Sequence, residues 1–310
     1  MLFFNQRIPI CQRGGGGLPT NFQYGGQAVI EGVLMRGARD LAIAVRRPDE
    51  TVIVERHQVS PLGDRLFLLR WPLIRGSVVL LDSLLWGIRA LTFSANLAAE
   101  AEDEQIKGSE MAAALLIALV VTILMFVVIP TGAVHFLHSH IESVFCQNLV
   151  EGIIRIAIFL GYVVAISRIN DIARVFQYHG AEHKVIHTYE ANEPLTVANA
   201  RKYSILHPRC GTSFLLIVMV VSILVFSLLG DYNLFWRITS RILLLPVVAG
   251  LGYELIKFSG RHKEARWLRG LILPGLWLQK LTTREPDDQQ IAVAIRALEA
   301  VLEAESSRKK

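Results

Sequence analysis

The run MAAALLIALVVTILMFVVI, from Met111 to Ile129, carries no charged side chain. It is close to the ~20 residues that a helix needs to cross the hydrocarbon core of a bilayer. Working outward from it, residues 149–167, 213–229 and 242–258 are apolar blocks of similar length. The second of these carries Glu151 and Arg155 near its start, and the last carries Glu254 near its end. Charges close to a helix end reach the interface and do not prevent insertion. The pattern predicts a mainly α membrane protein with about four transmembrane helices between residues 111 and 258.

Composition agrees. Of 310 residues, 52% are hydrophobic and 19% charged, and the mean hydropathy is +0.41. Residues 130–148 contain no Lys or Arg and residues 230–240 only Arg237, whereas the segments on the other side of the spans are rich in both. The positive-inside rule then predicts a multi-pass protein of the plasma (inner) membrane, with both termini and a His-rich loop, 168–212, in the cytoplasm. Net charge +5 and a pI near 9.2 fit attraction to anionic inner-leaflet lipid. The basic residues flank the spans and form no single stripe, so nucleic acid is not an expected partner. Membrane lipids are, with a homo-oligomer or a membrane-protein partner as further expectations. Cys11, Cys146 and Cys210 fall on opposite sides in this topology, which argues against a structural disulfide.

Residues 1–21 contain the run Gly14 to Gly17 and no long apolar core, and read as a flexible extension without a cleavable signal. Residues 22–66 read as a small β-rich cytoplasmic domain, with a turn at Pro48-Asp49-Glu50 before the β-branched stretch Thr51 to Gln58. The Gly25-Gly26 and Glu31-Gly32 pairs are read as tight turns rather than as places of close ligand approach. In 67–110 the apolar stretch Trp71 to Phe93 is interrupted by Arg75, Asp82 and Arg89, which predicts an interfacial helix followed by an acidic linker at Glu100 to Glu104. In 259–310, Ile291, Ile295, Leu298 and Leu302 recur at helical spacing after Pro286-Asp287-Asp288, predicting an amphipathic helix.

The chemistry-bearing stretch is Tyr178-His179-Gly180-Ala181-Glu182-His183-Lys184. On a helix, His179 and His183 stand one turn apart on one face with Glu182 beside them, the His-x-x-Glu-His order in which two imidazoles hold zinc and the carboxylate activates water. His207-Pro208-Arg209-Cys210 lies just before the next span and offers further ligands. The expected metal ligands are His179, His183 and His207, with Cys210 as the alternative to His207 and His187 able to replace any of them. Glu182 is the expected catalytic base. Glu254, at the same depth, is a further candidate ligand or base. Imidazole with thiolate favours zinc, although imidazole with carboxylate also suits iron or manganese. The histidines His135, His138 and His140, with Glu142 and Cys146, have no ordered ligand spacing and read as a polar outer loop.

Four stretches in order carry a family resemblance: Gly25 to Gly37, Tyr178 to Lys184, His207 to Phe214, and Pro274 to Pro286. Together they resemble the YqhQ-type bacterial membrane proteins, domain of unknown function 1385. That resemblance implies a predicted metal-dependent enzyme of unnamed reaction, and places His179, Glu182, His183, His207 and Cys210 in signature motifs. No downstream glutamate completes an inverzincin protease pattern, so the resemblance does not extend to proteolysis. The sequence thus predicts a metal-dependent enzyme, of the hydrolase kind, at the cytoplasmic membrane face. The alternative is a non-catalytic membrane scaffold or assembly factor with a structural metal site or none. Few polar groups line the spans, which makes a transporter the weaker reading.

Overall fold

The computed structural model describes residues 24–60, 71, 74–99, 106–137, 140–141, 143–230, 233–261 and 266–307. The expected N-terminal extension, the acidic linker, Cys11, His138 and Glu142 lie outside the described residues.

Four short strands form an antiparallel meander: β1 (Gly25–Val29), β2 (Gly32–Arg36), β3 (Asp40–Arg46) and β4 (Val52–Gln58), in the order β1-β2-β3-β4. The β3–β4 connection runs through Pro48 to Glu50 as expected. The first hairpin turns at Ile30-Glu31, with Glu31 at φ 50°, so the expected turn at Glu31-Gly32 is present and Gly32 closes it as the first residue of β2. Gly25 and Gly26 instead lie inside β1. Neighbours press on Gly26 and Gly32 alike: a Cβ at Gly32 would stand 2.2 Å from the Ala44 carbonyl oxygen, and one at Gly26 2.5 Å from that of Leu34. Close backbone approach, and not a turn, fixes Gly26.

Both faces of the sheet are covered. Val33, Met35, Ala42 and Ala44 join a core with α5 (Asn170–Glu190) and α11 (Asp288–Ser307), in which Ala181, Val185, Ile291, Ala294, Leu298 and Val301 are buried. The alternate residues Leu34, Leu41, Ile43 and Val45 pack on the other side with Ala90, Trp86, Leu91 and Leu97 of α1 (Ile74–Ala98). A strand buried on both faces reads as an apolar run rather than as an alternation. The amphipathic helix expected after Pro286 is α11, and its apolar stripe closes the first core.

The remaining helices are α2 (Gly108–Ile123), running through a π-helical turn (Leu124–Val128) into α3 (Ile129–Leu137), then α4 (Val144–Ile166), the short α6 (Val197–Ala200), α7 (Gly211–Ser227), α8 (Leu234–Leu243), α9 (Leu245–Arg261) and α10 (Arg266–Thr282). Three stretches are long and apolar enough to cross a membrane: Ile74–Ala98, Gly108–Leu137 and Val144–Ile166. The pair α8 and α9, bent by 45°, makes a fourth if it is one span, and α7 is apolar but shorter at 17 residues.

The helix α1 has the length and hydropathy of a span, and its charges have partners. Asp82 accepts from Arg36 of β2 at 2.6 Å, Arg75 makes a two-pronged pair with Glu254 at 2.5 Å, and Arg89 lies over the Trp86 ring at 5.1 Å. Glu254, a candidate ligand or base, thus meets Arg75, and neither group of converging ligand atoms among the described residues includes it.

Within the apolar helices sits a buried polar knot. Glu151 of α4 accepts from Arg155 at 2.8 Å and from Arg241 at 3.1 Å, and lies 3.6 Å from Arg237. Arg155 also donates to the Phe126 carbonyl within the π-helical turn and to Ser222 of α7, and Arg241 to Asn148. Polar side chains in such surroundings need this satisfaction.

Candidate metal centre

Every residue of the Tyr178 to Lys184 stretch has a structural role that the helix α5 imposes. Tyr178 is buried in the first core and its hydroxyl donates to Glu31 at 3.2 Å. Gly180 lets the Arg284 carbonyl come so close that a Cβ there would stand 2.1 Å from its oxygen. Ala181 is buried against the sheet. Lys184 donates to the carbonyls of Arg201 and Tyr203, at 3.1 and 2.8 Å, and pairs with Glu285 at 2.6 Å, so it ties down the loop that carries His207 and Cys210. His179 and His183 face that loop, while Glu182 turns to the Gly26 amide of β1.

Helical period places His179 and His183 one above the other, ring centroids 4.5 Å apart. His179 Nδ1 donates to the Thr282 carbonyl at 2.8 Å and His183 Nδ1 to the Ile205 carbonyl at 2.5 Å. Since a carbonyl only accepts, both rings carry a proton on Nδ1, so in the neutral ring it is Nε2 that offers its lone pair to a metal. His179 Nε2 meets Cys210 Sγ at 3.2 Å. His183 Nε2 is buried without a hydrogen bond and faces Glu182 Oε2 at 3.5 Å, which is likewise buried without one. Glu182 Oε1 accepts the backbone N–H of Gly26, 2.8 Å away in β1. One ligand atom each from His179, His183 and Cys210 falls within 4.8 Å of the others.

Cys210 is the N-cap of α7, where the helix dipole favours an anion. Burial pushes its thiol up, but the His179 charge and hydrogen bond, with a further contribution from His183, outweigh this and hold it well below the ordinary thiol value. Burial pushes His179 down, yet Cys210 and Glu182 raise it to about 9. Without a metal the two form an imidazolium–thiolate pair.

His207 goes elsewhere. Its backbone is clamped by Gln279 of α10, which accepts from His207 N at 2.8 Å and donates to the His207 carbonyl at 2.9 Å. The ring lies 4.5 Å from that of His187 and 5.6 Å from that of His183, centroid to centroid. His187, Glu190 and His207 form a second trio whose ligand atoms lie within 4.8 Å of one another. Of the two expected choices for a third ligand, the alternative, Cys210, is therefore the one that joins His179 and His183, while His207 belongs to a different trio. Sequence reasoning missed Glu190, although it stands to His187 as Glu182 stands to His179, three residues further on. It also missed the Gly26 amide, which nothing local in the sequence connects to Glu182. Near the outer loop, no group of three that includes His135 or His140 comes together among the described residues.

The family model described as a protein of unknown function, DUF1385, matches residues 71–304, which include Glu182 and both trios but not Gly26 or Glu31. The chain is 34% identical over 296 residues to a Bacillus subtilis (strain 168) protein described as "Uncharacterized protein YqhQ", covering 91% of this chain and 93% of that one. Neither description names a metal or a reaction. No solved structure matches the chain.

Proposed function

The chain belongs to the DUF1385 family, and on that premise we propose that it is a membrane-embedded metal-dependent enzyme of the hydrolase kind. Its centre is His179, His183 and Cys210 at the cytoplasmic membrane face, and its substrate is a membrane-proximal one. The observation that carries this reading is the convergence of two imidazole nitrogens and a thiolate-prone sulfur within 4.8 Å. The donor set suits zinc. Two further features support the fit: each imidazole gives its other N–H to a backbone carbonyl, the usual arrangement behind a metal-bound histidine, and His183 Nε2 is a buried nitrogen with no hydrogen bond.

A divalent metal held there supplies Lewis acidity toward an oxygen of substrate or water. The chain's own residues do the rest. The Gly26 amide fixes Glu182 through Oε1, which leaves Oε2 aimed at the ligand atoms and able to hold a proton. The Thr282 and Ile205 carbonyls keep both imidazoles in the tautomer that presents Nε2.

Elemental analysis of the detergent-purified chain beside His179→Ala and Cys210→Ser tests the centre. Wild type carries stoichiometric metal and both variants lose it; equal metal content in all three removes the reading. A second reading, a structural metal in a scaffold, is favoured by the complete burial of His183 and Glu182. The two part at Glu182→Gln. A base leaves metal content intact when replaced, whereas a fourth ligand closing a structural site takes the metal with it.

A further inference from the structure

We propose that His187, His207 and Glu190 hold a second divalent cation beside the first, which makes the centre a two-metal one. The proposal deepens the reading above and rests on it for the chemistry, but its ligands are separate. Their ligand atoms lie within 4.8 Å of one another, and the two trios are joined through the His183 and His207 rings, 5.6 Å apart. Helix α5 carries the pattern twice: His179 with Glu182, and a little over two turns further on, His187 with Glu190.

In the second trio His187 is prepared as the histidines of the first are. His187 Nε2 donates to the Leu206 carbonyl at 3.0 Å, so Nδ1 keeps its lone pair. The His187 ring is stacked on Tyr203 with planes 14° apart, and both faces of the His207 peptide are held by Gln279. Glu190 divides its oxygens: Oε1 pairs with Arg209, and Oε2 faces His207 Nε2 at 3.6 Å. A cation between Oε2 and Nε2 takes the place of the imidazole proton there. The cost is the 3.3 Å bond from the Arg209 amide to His207 Nδ1, which the relocated proton breaks.

The two positions differ in donor type. Two imidazoles with a thiolate favour zinc or cobalt, whereas two imidazoles with a carboxylate also take manganese or iron. If the two cations stood about 3.5–4 Å apart, they would supply charge to both the attacking and the leaving oxygen of a displacement, which suits an ester or phosphoester substrate.

Titration of the chelator-stripped full chain in detergent with Co(II) tests this, because the thiolate-to-cobalt absorption that Cys210→Ser abolishes reports the Cys210 position, apart from Cys11 and Cys146. The expected result is two equivalents bound, of which one is silent in that band. His187→Gln and Glu190→Gln should each reduce the total to one equivalent with the band intact. One equivalent in wild type, with the band present and His187→Gln without effect, overturns the second position and leaves the first standing. One equivalent without the band, lost in His187→Gln, keeps the second position and removes the first. A wild type that binds no cobalt overturns both.

Discussion

Gly26 and Glu182, 156 positions apart, are joined by a 2.8 Å hydrogen bond from the glycine amide to the buried carboxylate. A Cβ at Gly26 would stand 2.9 Å from Glu182 Cγ and 2.5 Å from the Leu34 carbonyl oxygen. The second of these neighbours is backbone in the adjacent strand and has no room to yield. Gly26→Ala should therefore destabilise the protein by about 1–3 kcal/mol, as overpacking does, and turn the Glu182 carboxylate away from the ligand atoms. A lower unfolding midpoint in detergent checks the first effect. An unchanged midpoint would mean that the sheet does not press on α5 in this way.

The imidazolium–thiolate pair has a pH signature in the chelated protein. His179 is raised from its ordinary 6.5 to about 9, so its contribution to stability is complete below 6.5 and lost as the pH rises through about 9. Cys210 is lowered, so its contribution is present above the ordinary thiol value of 9 and lost as the pH falls through its depressed one. Near pH 8 the two slopes oppose each other and cancel, because folding only moves a proton from the thiol to the imidazole. The difference in unfolding free energy between wild type and the His179→Gln/Cys210→Ser double variant should be flat there. Thiolate ultraviolet absorbance should be present at that pH and absent in Cys210→Ser. Absence of that absorbance at pH 8 would show that the pair is neutral, since a neutral pair holds the same single proton and is equally flat, and a one-proton slope would show that only one of the two groups is charged.

Glu254 shows how depth along a span misleads. Its carboxylate lies on α9, but it faces Arg75 of α1 in a two-pronged bond. Glu254→Gln should leave metal content unchanged and reduce stability by about 1 kcal/mol, as for a partly exposed ion pair. Loss of metal in this variant would return Glu254 to the site.

The legible parts of the chain are those set by local period. His179, Glu182 and His183 share a face because helices repeat every 3.6 residues, and the apolar stripe of α11 follows from the same rule. The division of the histidines between two trios was not legible, since it depends on how Gln279 and Lys184 hold the loop around His207. The spanning quality of α1 was hidden for a similar reason. Arg75 and Asp82 look like interruptions until their partners, Glu254 and Arg36, are brought up from elsewhere in the chain. Gly26 was read as a turn glycine because crowding by another strand leaves no mark in the sequence around it.

The polar knot around Glu151 makes the sharpest stability prediction. One carboxylate receives Arg155 and Arg241 and lies beside Arg237, all four side chains being buried among apolar helices. Phe226 adds its ring face to two of these cations, 5.4 Å from Arg155 and 5.0 Å from Arg241. Glu151→Gln keeps the shape and one acceptor oxygen but removes the only negative charge that these guanidinium groups share among the described residues. Breaking a buried pair from one side costs about 3–5 kcal/mol, because the charges left behind remain out of water. The variant should unfold well below wild type in detergent. Glu151→Gln/Arg155→Met should recover part of the loss, since it removes one of the stranded charges while filling a similar volume. If the single variant unfolds with wild type, the knot is hydrated and the apolar helices around it do not exclude water.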